Sequence, residues 1–254
     1  MIDLKNVRAA YSKKEVLHGI STSFETGKLT SIIGPNGCGK STLLKTIVGI
    51  MRDFDGEISI DGENLKMMKR KEAAKRIAYL AQGKGIPDMT VSQMVLHGRF
   101  PHLSYPRRYR NCDREIACAA MEKMGILHLG DMPVSSLSGG MRQNAYIAMA
   151  LAQETDYIIL DEPTAYLDIA HQLELMKILR DLKGEGKGII TVMHDLPIAF
   201  TFSDSILVMN EGNVVCSGTP SEICKTDMTK KIFGIKLNSD NDEYFYRLSD
   251  MYEI

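Results

Sequence analysis

The chain has 254 residues, of which 44% are hydrophobic and 25% are charged, and its formal net charge is −1. This length fits one large domain or two closely merged ones, and it is ample for a buried core. The near-neutral balance gives none of the basic excess that is typical of nucleic-acid binding, so we expect no nucleic-acid partner. The five cysteines form no CxxC pair, which favours reduced thiols over a disulfide framework or a zinc site.

No apolar run approaches the roughly 18–20 residues that a membrane helix requires. Asp3 and Lys5 place charges within the first five residues, where a secretory signal would carry an apolar core. The sequence therefore predicts a soluble, cytoplasmic protein, which another component must hold if it works at a membrane.

Short apolar runs alternate with amphipathic segments along the chain, a pattern typical of an α/β fold with a mostly parallel sheet. Turns are predicted at Asp55-Gly56 and Asp61-Gly62. The basic segment 66–76 is predicted to be helical, and a solvated helix face is favoured there over a binding patch. Strands are predicted at 2–11, 29–34, between the two turns, 77–82, 157–161, 188–193 and 205–209.

Residues 90–153 are rich in helical patterns and contain no convincing strand. Thr90 and Gln93 form a capping box that begins the first of these helices. We expect an inserted helical subdomain here. Further along, 210–213 predicts a hairpin turn, and Thr219 with Glu222 forms a second capping box with Pro220 at the first helical position. The polar tail from Lys236 onward shows no clear pattern.

The segment GPNGCGKST, residues 34–42, matches the phosphate-binding P-loop pattern G-x-x-x-x-G-K-[ST] between a predicted strand and a predicted helix. Its glycines let successive backbone N–H groups point inward at an anion, and the helix that follows adds its positive end. Lys40 is predicted to reach the β- and γ-phosphates of ATP and the Ser41 hydroxyl to ligate Mg²⁺. The predicted ATP-binding residues are Tyr11, Gly34, Pro35, Asn36, Gly37, Cys38, Gly39, Lys40, Ser41 and Thr42, of which Tyr11 comes from the family resemblance given below.

The segment YIILDEP, residues 157–163, places two carboxylates at the carboxyl end of a buried strand, where ligands of such sheets collect. Asp161 is predicted to hold Mg²⁺ through water, and Glu162 to orient and polarise the attacking water. Adjacent acidic residues at a strand end could instead cap the next helix, but the P-loop favours the catalytic interpretation.

The segment LSGGMRQ, residues 137–143, has a serine and two glycines at the start of a predicted amphipathic helix. A hydroxyl and paired glycines at a helix N-terminus also suggest a phosphate site. The chain thus carries two candidate phosphate cradles.

The order P-loop, isolated Gln82, LSGG, LDEP and MHD resembles the ATP-binding subunit of an ABC (ATP-binding cassette) transporter over nearly the whole chain except its tail. The resemblance implies a P-loop NTPase (RecA-like) core with an N-terminal antiparallel β portion. It also implies a division into residues 1–89 and 154–235 for the core, 90–153 for the helical signature subdomain and 236–254 for the tail.

Several residue roles follow from the resemblance alone. Tyr11 is similar to the aromatic residue that stacks on adenine, and Gln82 to the glutamine that ligates Mg²⁺ and senses the transmembrane partner. His194 is similar to the switch histidine at the γ-phosphate, and Asp168 to the loop that communicates across a dimer. Tyr11 could instead be an ordinary surface aromatic at a strand end, and His194-Asp195 could be a helix cap.

The resemblance also explains the second cradle. Ser138, Gly139, Gly140 and Gln143 are expected to lie against the ATP of a second copy in a head-to-tail homodimer, so that a monomer binds ATP but hydrolyses it poorly. Family members generally carry Gln or Glu where Met141 stands, which predicts a missing polar contact near the ribose or the dimer seam.

Two further segments, LHGRFPHLSYPRR (96–108) and YLDIAHQLELM (166–176), are similar to the importer subfamily for iron–siderophore, haem and cobalamin uptake. This implies ATP and Mg²⁺ as cofactors, separate membrane permease subunits, an indirect substrate-binding protein, and a peripheral position on the cytoplasmic face of the membrane. The basic stretch 105–110 could equally be a solvated loop.

Two other functions are open at this point. A soluble ABC ATPase acting on ribosomes or DNA usually has two cassettes or long coiled-coil insertions, whereas this chain has one P-loop and no sustained heptads. A non-catalytic nucleotide-binding module is disfavoured by the presence of Lys40, Glu162 and His194.

Overall fold

The computed structural model describes residues 1–12, 14–83, 85–165, 167–241 and 243–246. The strands in chain order are β1 (Ile2–Tyr11), β2 (Lys14–Phe24), β3 (Leu29–Ile33), β4 (Phe54–Ile60), β5 (Glu63–Asn64), β6 (Ile77–Leu80), β7 (Tyr157–Asp161), β8 (Gly188–Val192), β9 (Ser205–Asn210), β10 (Asn213–Gly218), β11 (Leu237–Asp240) and β12 (Glu243–Tyr246). The helices are α1 (Lys40–Ile47), α2 (Arg70–Arg76), α3 (Val91–His97), α4 (Asn111–Lys123), α5 (Gly139–Ala152), α6 (Ile169–Gly184), α7 (Leu196–Phe202), α8 (Pro220–Cys224) and α9 (Met228–Phe233).

The first sheet is antiparallel, with the strand order β2-β1-β4-β5, and it is the N-terminal antiparallel portion that the sequence predicts. The turn predicted at Asp55-Gly56 is wrong, because both residues lie inside β4. Gly56 has φ 86° and its α-carbon faces the backbone of Asn6, where β1 is interrupted by a register shift. The glycine therefore accommodates a bulge between two strands rather than a chain reversal. The turn at Asp61-Gly62 is confirmed.

The second sheet has the order β10-β9-β3-β8-β7-β6 and is parallel except for the hairpin partner β10 at its edge. The hairpin turn predicted at 210–213 joins β9 to β10. Because the parallel strands run the same way, their carboxyl ends meet at one edge of the sheet. The loops after β3, β8, β7 and β6 therefore lie side by side in that order.

The core lies on both faces of this parallel sheet. Along β7, Ile158 and Leu160 pack with the helical side of the molecule, whereas Tyr157 and Ile159 pack with the antiparallel sheet and α1. Alternation along a strand sends successive side chains to opposite faces, so both faces of β7 are apolar and covered. The segment predicted as a buried strand is thus buried throughout.

Residues 90–153 form α3, α4, α5 and three short 3₁₀ turns, and they join the sheet through one continuous apolar cluster. Both predicted capping boxes are present, at Thr90/Gln93 and at Thr219/Glu222. The basic helix is shorter than predicted and begins at Arg70.

The tail forms the hairpin β11–β12, which packs on α7 through Tyr244 and Phe200 with their ring centroids 5.3 Å apart. The rest of the predicted tail, residues 247–254, lies outside the described residues. Within the described part of the chain, no helix combines the length and the apolar character that crossing a bilayer demands.

Candidate active site

The P-loop connects β3 to α1 and wraps around the side chain of Lys40. Gly39 precedes the helix with φ 104°, a left-handed conformation that a glycine adopts without steric cost. Lys40 is buried, and its Nζ donates hydrogen bonds to the carbonyl oxygens of Gly34 (2.7 Å) and Pro35 (2.9 Å). The loop therefore holds the ammonium group in place by its own backbone.

A cleft of about 590 Å³ opens above this loop. The loops after β3, β6, β7 and β8 all contribute to it, because these strands are neighbours in the parallel sheet. It brings together most of the residues that the sequence predicts for the ATP site. The lining residues are Val16, Asn36, Gly37, Gly39, Lys40, Ser41, Thr42, Gln82, Glu162 and His194.

Asp161 ends β7 directly beneath the P-loop helix. The Ser41 hydroxyl donates to Asp161 Oδ1 at 3.1 Å, and the Tyr79 hydroxyl donates to Oδ2 at 3.4 Å. Burial raises the pKa of Asp161, and the charge of Glu162 adds to the rise, while the two hydrogen bonds oppose it. Burial and the facing Asp161 carboxylate also raise the pKa of Tyr79. A cation bound here would stabilise the ionised form of Asp161.

Glu162 is held by two other predicted site residues. Gln82 Nε2 donates to Glu162 Oε2 at 2.5 Å, and His194 Nε2 lies 2.6 Å from Oε1. The Glu162 side chain is 16% exposed, and its backbone has φ 53°. Positive φ values are uncommon outside glycine and are found disproportionately at functional sites. The carboxylate is thus aimed into the cleft by its backbone and by two partners.

His194 reaches the cleft from the loop between β8 and α7. The neighbouring Asp195 caps α7, because its Oδ1 accepts a hydrogen bond from the backbone N–H of Ile198 at 2.9 Å. Asp195 therefore caps the helix, as one interpretation of the MHD segment expects, and His194 faces Glu162. The role of His194 at the γ-phosphate stays a prediction.

The signature segment, residues 137–143, begins α5. Ser138 is the N-cap, and its Oγ accepts from the backbone N–H of Met141 at 3.3 Å. Ser138 and Gly139 are exposed, and neither lines the cleft that contains Lys40. Gly139 and Gln143 line a second cavity of about 190 Å³, which adjoins the first through Gln82 and Glu162.

Gly140 packs against His171, for which the sequence predicts no role. A β-carbon on Gly140 would lie 2.6 Å from His171 Cδ2. The His171 Nδ1 atom is 2.8 Å from Asp168 Oδ1, which also accepts from the His171 backbone N–H at 2.9 Å and so caps α6. These two hydrogen bonds lower the pKa of Asp168, the backbone one more strongly. Within one chain, His171 therefore connects the signature helix to the predicted dimer loop. Tyr166, which begins the second subfamily segment, lies outside the described residues.

Four predicted ATP-binding residues do not line the cleft: Tyr11, Gly34, Pro35 and Cys38. Tyr11 is 49% exposed at the end of β1. Cys38 is buried inside the P-loop, where burial raises the pKa of its thiol. Conversely, Val16 of β2 lines the cleft although β2 is not predicted. An alternation of buried and exposed side chains would have indicated this strand, but it is interrupted at Gly19, which has φ 84°. The next buried residue after Leu17 is therefore Ile20, three positions on instead of two.

Residues 17–165 match the family model described as ABC transporter. The chain is 42% identical over 228 residues to the ferric enterobactin transport ATP-binding protein FepC of Escherichia coli (strain K12), with 89% of this chain and 84% of the relative covered. It is 42% identical over 227 residues to the iron(3+)-hydroxamate import ATP-binding protein FhuC of Bacillus subtilis (strain 168), with the same coverage of both chains.

A solved structure of a dimeric bacterial ABC transporter cassette superposes with a TM-score of 0.75 at 27% identity, covering 87% of this chain and 99% of that one. The P-loop match, the cleft and these relatives agree. The chain belongs to the ABC transporter family, as an ATP-binding cassette whose ATPase activity is coupled to transport.

Proposed function

We propose that this chain powers the import of a ferric siderophore, working as a head-to-tail homodimer on the cytoplasmic face of a membrane permease. The observation that carries the catalytic part is the position of Glu162. Its carboxylate faces the P-loop cleft between Gln82 and His194, at 2.5 and 2.6 Å. A general base must stand within reach of a water at the phosphate, and this arrangement supports that role.

The donor set next to Lys40 fits a magnesium ion. Ser41 offers a hydroxyl, Gln82 an amide oxygen and Asp161 a carboxylate, and hard oxygen donors of this kind are those that Mg²⁺ prefers. Ser41 and Asp161 already lie within hydrogen-bonding distance. Mg²⁺ held by these residues would neutralise charge on the phosphates of ATP.

The chain's own groups account for the rest of the chemistry. Lys40 exchanges its two carbonyl acceptors for oxygens of the β- and γ-phosphates when ATP binds. Glu162 orients the attacking water and takes its proton, while His194 turns toward the γ-phosphate. Phosphoryl transfer depends mainly on such positioning and charge neutralisation.

The exposed signature supports a shared site. Ser138 and Gly139 are exposed, and neither lines the chain's own P-loop cleft. In a head-to-tail pair they would meet the ATP held by the second copy, with Asp168 at the seam. The dimeric cassette among the solved relatives supports this assembly. ATP then favours the closed dimer by the difference between its affinities for the closed and open forms.

The cargo is inferred from the relatives. One is named for ferric enterobactin and the other for iron(3+)-hydroxamate, which are chemically different iron chelates, so we propose ferric siderophores as the class. Membrane permease subunits, and indirectly a substrate-binding protein, are the expected partners. An action on ribosomes or DNA is not favoured, because both relatives are named for transport.

The catalytic assignment is tested by Glu162→Gln, which keeps the shape of the side chain but removes the base. We expect ATP turnover at saturating ATP to fall at least ~100-fold, in line with the contribution of a general base, while ATP still binds. The matched control is Glu57→Gln, at an exposed position of β4, which should turn over ATP like the parent. Equal rates for the parent and Glu162→Gln would refute the role of Glu162.

A further inference from the structure

The segment Gly98–His102, part of the sequence similar to the importer subfamily, folds against the carboxyl end of the signature helix α5. Gly98 makes the closest approach. A β-carbon there would lie 2.1 Å from the carbonyl oxygen of Met149 and 3.1 Å from the β-carbon of Ala152. Since its φ of −54° is ordinary, the position needs glycine for space rather than for conformation.

Arg99 supplies the second contact and is 6% exposed. Its Nη1 donates to the carbonyl oxygen of Ala152 at 2.8 Å and to Glu154 Oε2 at 2.6 Å, and its Nε donates to Asp113 Oδ1 at 3.0 Å. The last carbonyls of a helix have no partner within the helix and carry partial negative charge. A guanidinium therefore stabilises them both as a hydrogen-bond donor and as a positive charge.

His102 supplies the third contact. Its Nε2 lies 2.9 Å from the carbonyl oxygen of Gln153, and because a carbonyl can only accept, this nitrogen carries the proton. The side chain of Gln153 in turn donates to the carbonyl oxygens of Ala74 (2.5 Å) and Ile77 (3.0 Å), which belong to α2 and the start of β6. The end of α5 is therefore tied both to the helical region and to the strand that leads to Gln82.

We propose that Gly98, Arg99 and His102 form a clamp that sets the direction of α5 and thereby positions Ser138 and Gly140 at the opposite end. The helix has 14 residues and so spans roughly 21 Å. A small rotation at the clamp would displace the signature across the dimer seam. The inference rests on the proposed function, in which the signature completes the second copy's ATP site.

The contacts made by the clamp distinguish it from general packing. Arg99 and His102 donate hydrogen bonds to backbone carbonyls at the end of α5, and Gly98 contacts the backbone of the same helix. The clamp therefore fixes the helix axis rather than one side chain. The clamp also lies outside the nucleotide cleft, since none of the three residues lines the cleft that contains Lys40. They are positioning residues and touch no nucleotide.

The test compares His102→Leu, which removes the donor, with His102→Gln, whose side-chain amide retains one. The matched control is His128→Leu, an exposed histidine in the same helical region. For each variant we would measure the thermal midpoint, ATP binding to the monomer, and kcat and KM for ATP. The ATP-dependent dimerisation of Glu162→Gln would be measured with and without His102→Leu.

We expect His102→Leu to lower kcat about 3- to 30-fold, the range for residues that modulate coupling between sites. ATP binding and KM should stay unchanged. The Glu162→Gln protein that also carries His102→Leu should need a higher protein concentration to dimerise with ATP than Glu162→Gln alone. His102→Gln should recover most of the activity, and His128→Leu should match the parent.

The proposal is overturned if His102→Leu turns over ATP within twofold of the parent per folded molecule. It is also overturned if His102→Gln is as impaired as His102→Leu, or if the activity loss only follows the fraction unfolded. Failure of Glu162→Gln alone to dimerise with ATP would instead refute the proposed shared site, which keeps the two failures distinct.

Discussion

Replacing Asp113 by alanine should destabilise the folded chain strongly. Asp113 and Arg99 form an ion pair at 3.0 Å in which each side chain is 7% exposed. Breaking a buried pair by removing one partner costs about 3–5 kcal/mol when the remaining charge has no other partner. Because Arg99 keeps Glu154 at 2.6 Å, we expect a loss at the lower end of that range, about 3 kcal/mol. The unfolding entropy of a chain of 254 residues is about 0.5 kcal/mol/K, so the melting temperature should fall by about 6 °C.

Thermal unfolding followed by circular dichroism measures this shift. The control is Asp131→Ala, which removes an exposed carboxylate and should leave the melting temperature within about 1 °C of the parent, since exposed substitutions have small effects. A fall of less than about 2 °C for Asp113→Ala, a shift worth only about 1 kcal/mol, would refute the reasoning that this pair stabilises the helical region.

The same substitution has a defined pH dependence. The backbone N–H of Arg110 and, after it, the Arg99 guanidinium lower the pKa of Asp113, while burial opposes them. A lowered pKa in the folded state gives stability that is present above the unfolded pKa of about 3.9 and is lost as the pH falls through the folded value. The stability difference between parent and Asp113→Ala should therefore be constant from pH 6 to pH 8, roughly two units above that unfolded pKa, and should close only in acid.

Two further substitutions probe contacts outside the cleft. Gly140→Ala places a β-carbon 2.6 Å from His171 Cδ2 and should lower the stability of the fold by about 1–3 kcal/mol through overpacking. The double variant with His171→Ala should recover that stability. A double variant no more stable than Gly140→Ala would contradict the contact. Tyr244→Ala removes an 8% exposed ring that packs on Phe200 and should lower the stability of the fold by about 3 kcal/mol. The control Tyr105→Ala, at a 97% exposed position, should leave the stability almost unchanged. Equal melting temperatures for the two variants would show that the tail hairpin does not stabilise the fold.

Much of the site could be predicted from the sequence because its parts are local. The P-loop, the acidic pair after β7 and the histidine after β8 each follow a buried apolar run within a few residues. Parallel strands bring such loop residues to one edge of a sheet. The residues alone therefore predicted that Lys40 and Glu162 share one cleft, whereas Gln82 and His194, which line the same cleft, were expected only from the family resemblance.

What the sequence could not predict depends on contacts between distant segments. Asp55-Gly56 has the composition of a turn, but its glycine serves a bulge opposite Asn6, which is 50 residues away. In β2, which contributes Val16, a similar bulge at Gly19 interrupts the alternation of buried and exposed side chains, so the strand was not predicted. Likewise, neither the burial of Arg99 against Asp113 nor the packing of Gly140 on His171 follows from any local pattern.

The central claim is that each ATP site combines the P-loop of one chain with the signature of another, and mixing two inactive variants tests it directly. Lys40→Ala disables the P-loop, and Ser138→Asp keeps an N-cap for α5 but sets a carboxylate against the γ-phosphate. A mixed head-to-tail dimer retains one intact site, so random pairing should restore up to about a quarter of the parent's ATPase activity. If each site were built within one chain, every site in the mixture would be damaged, and no recovery above the separate variants would contradict the account.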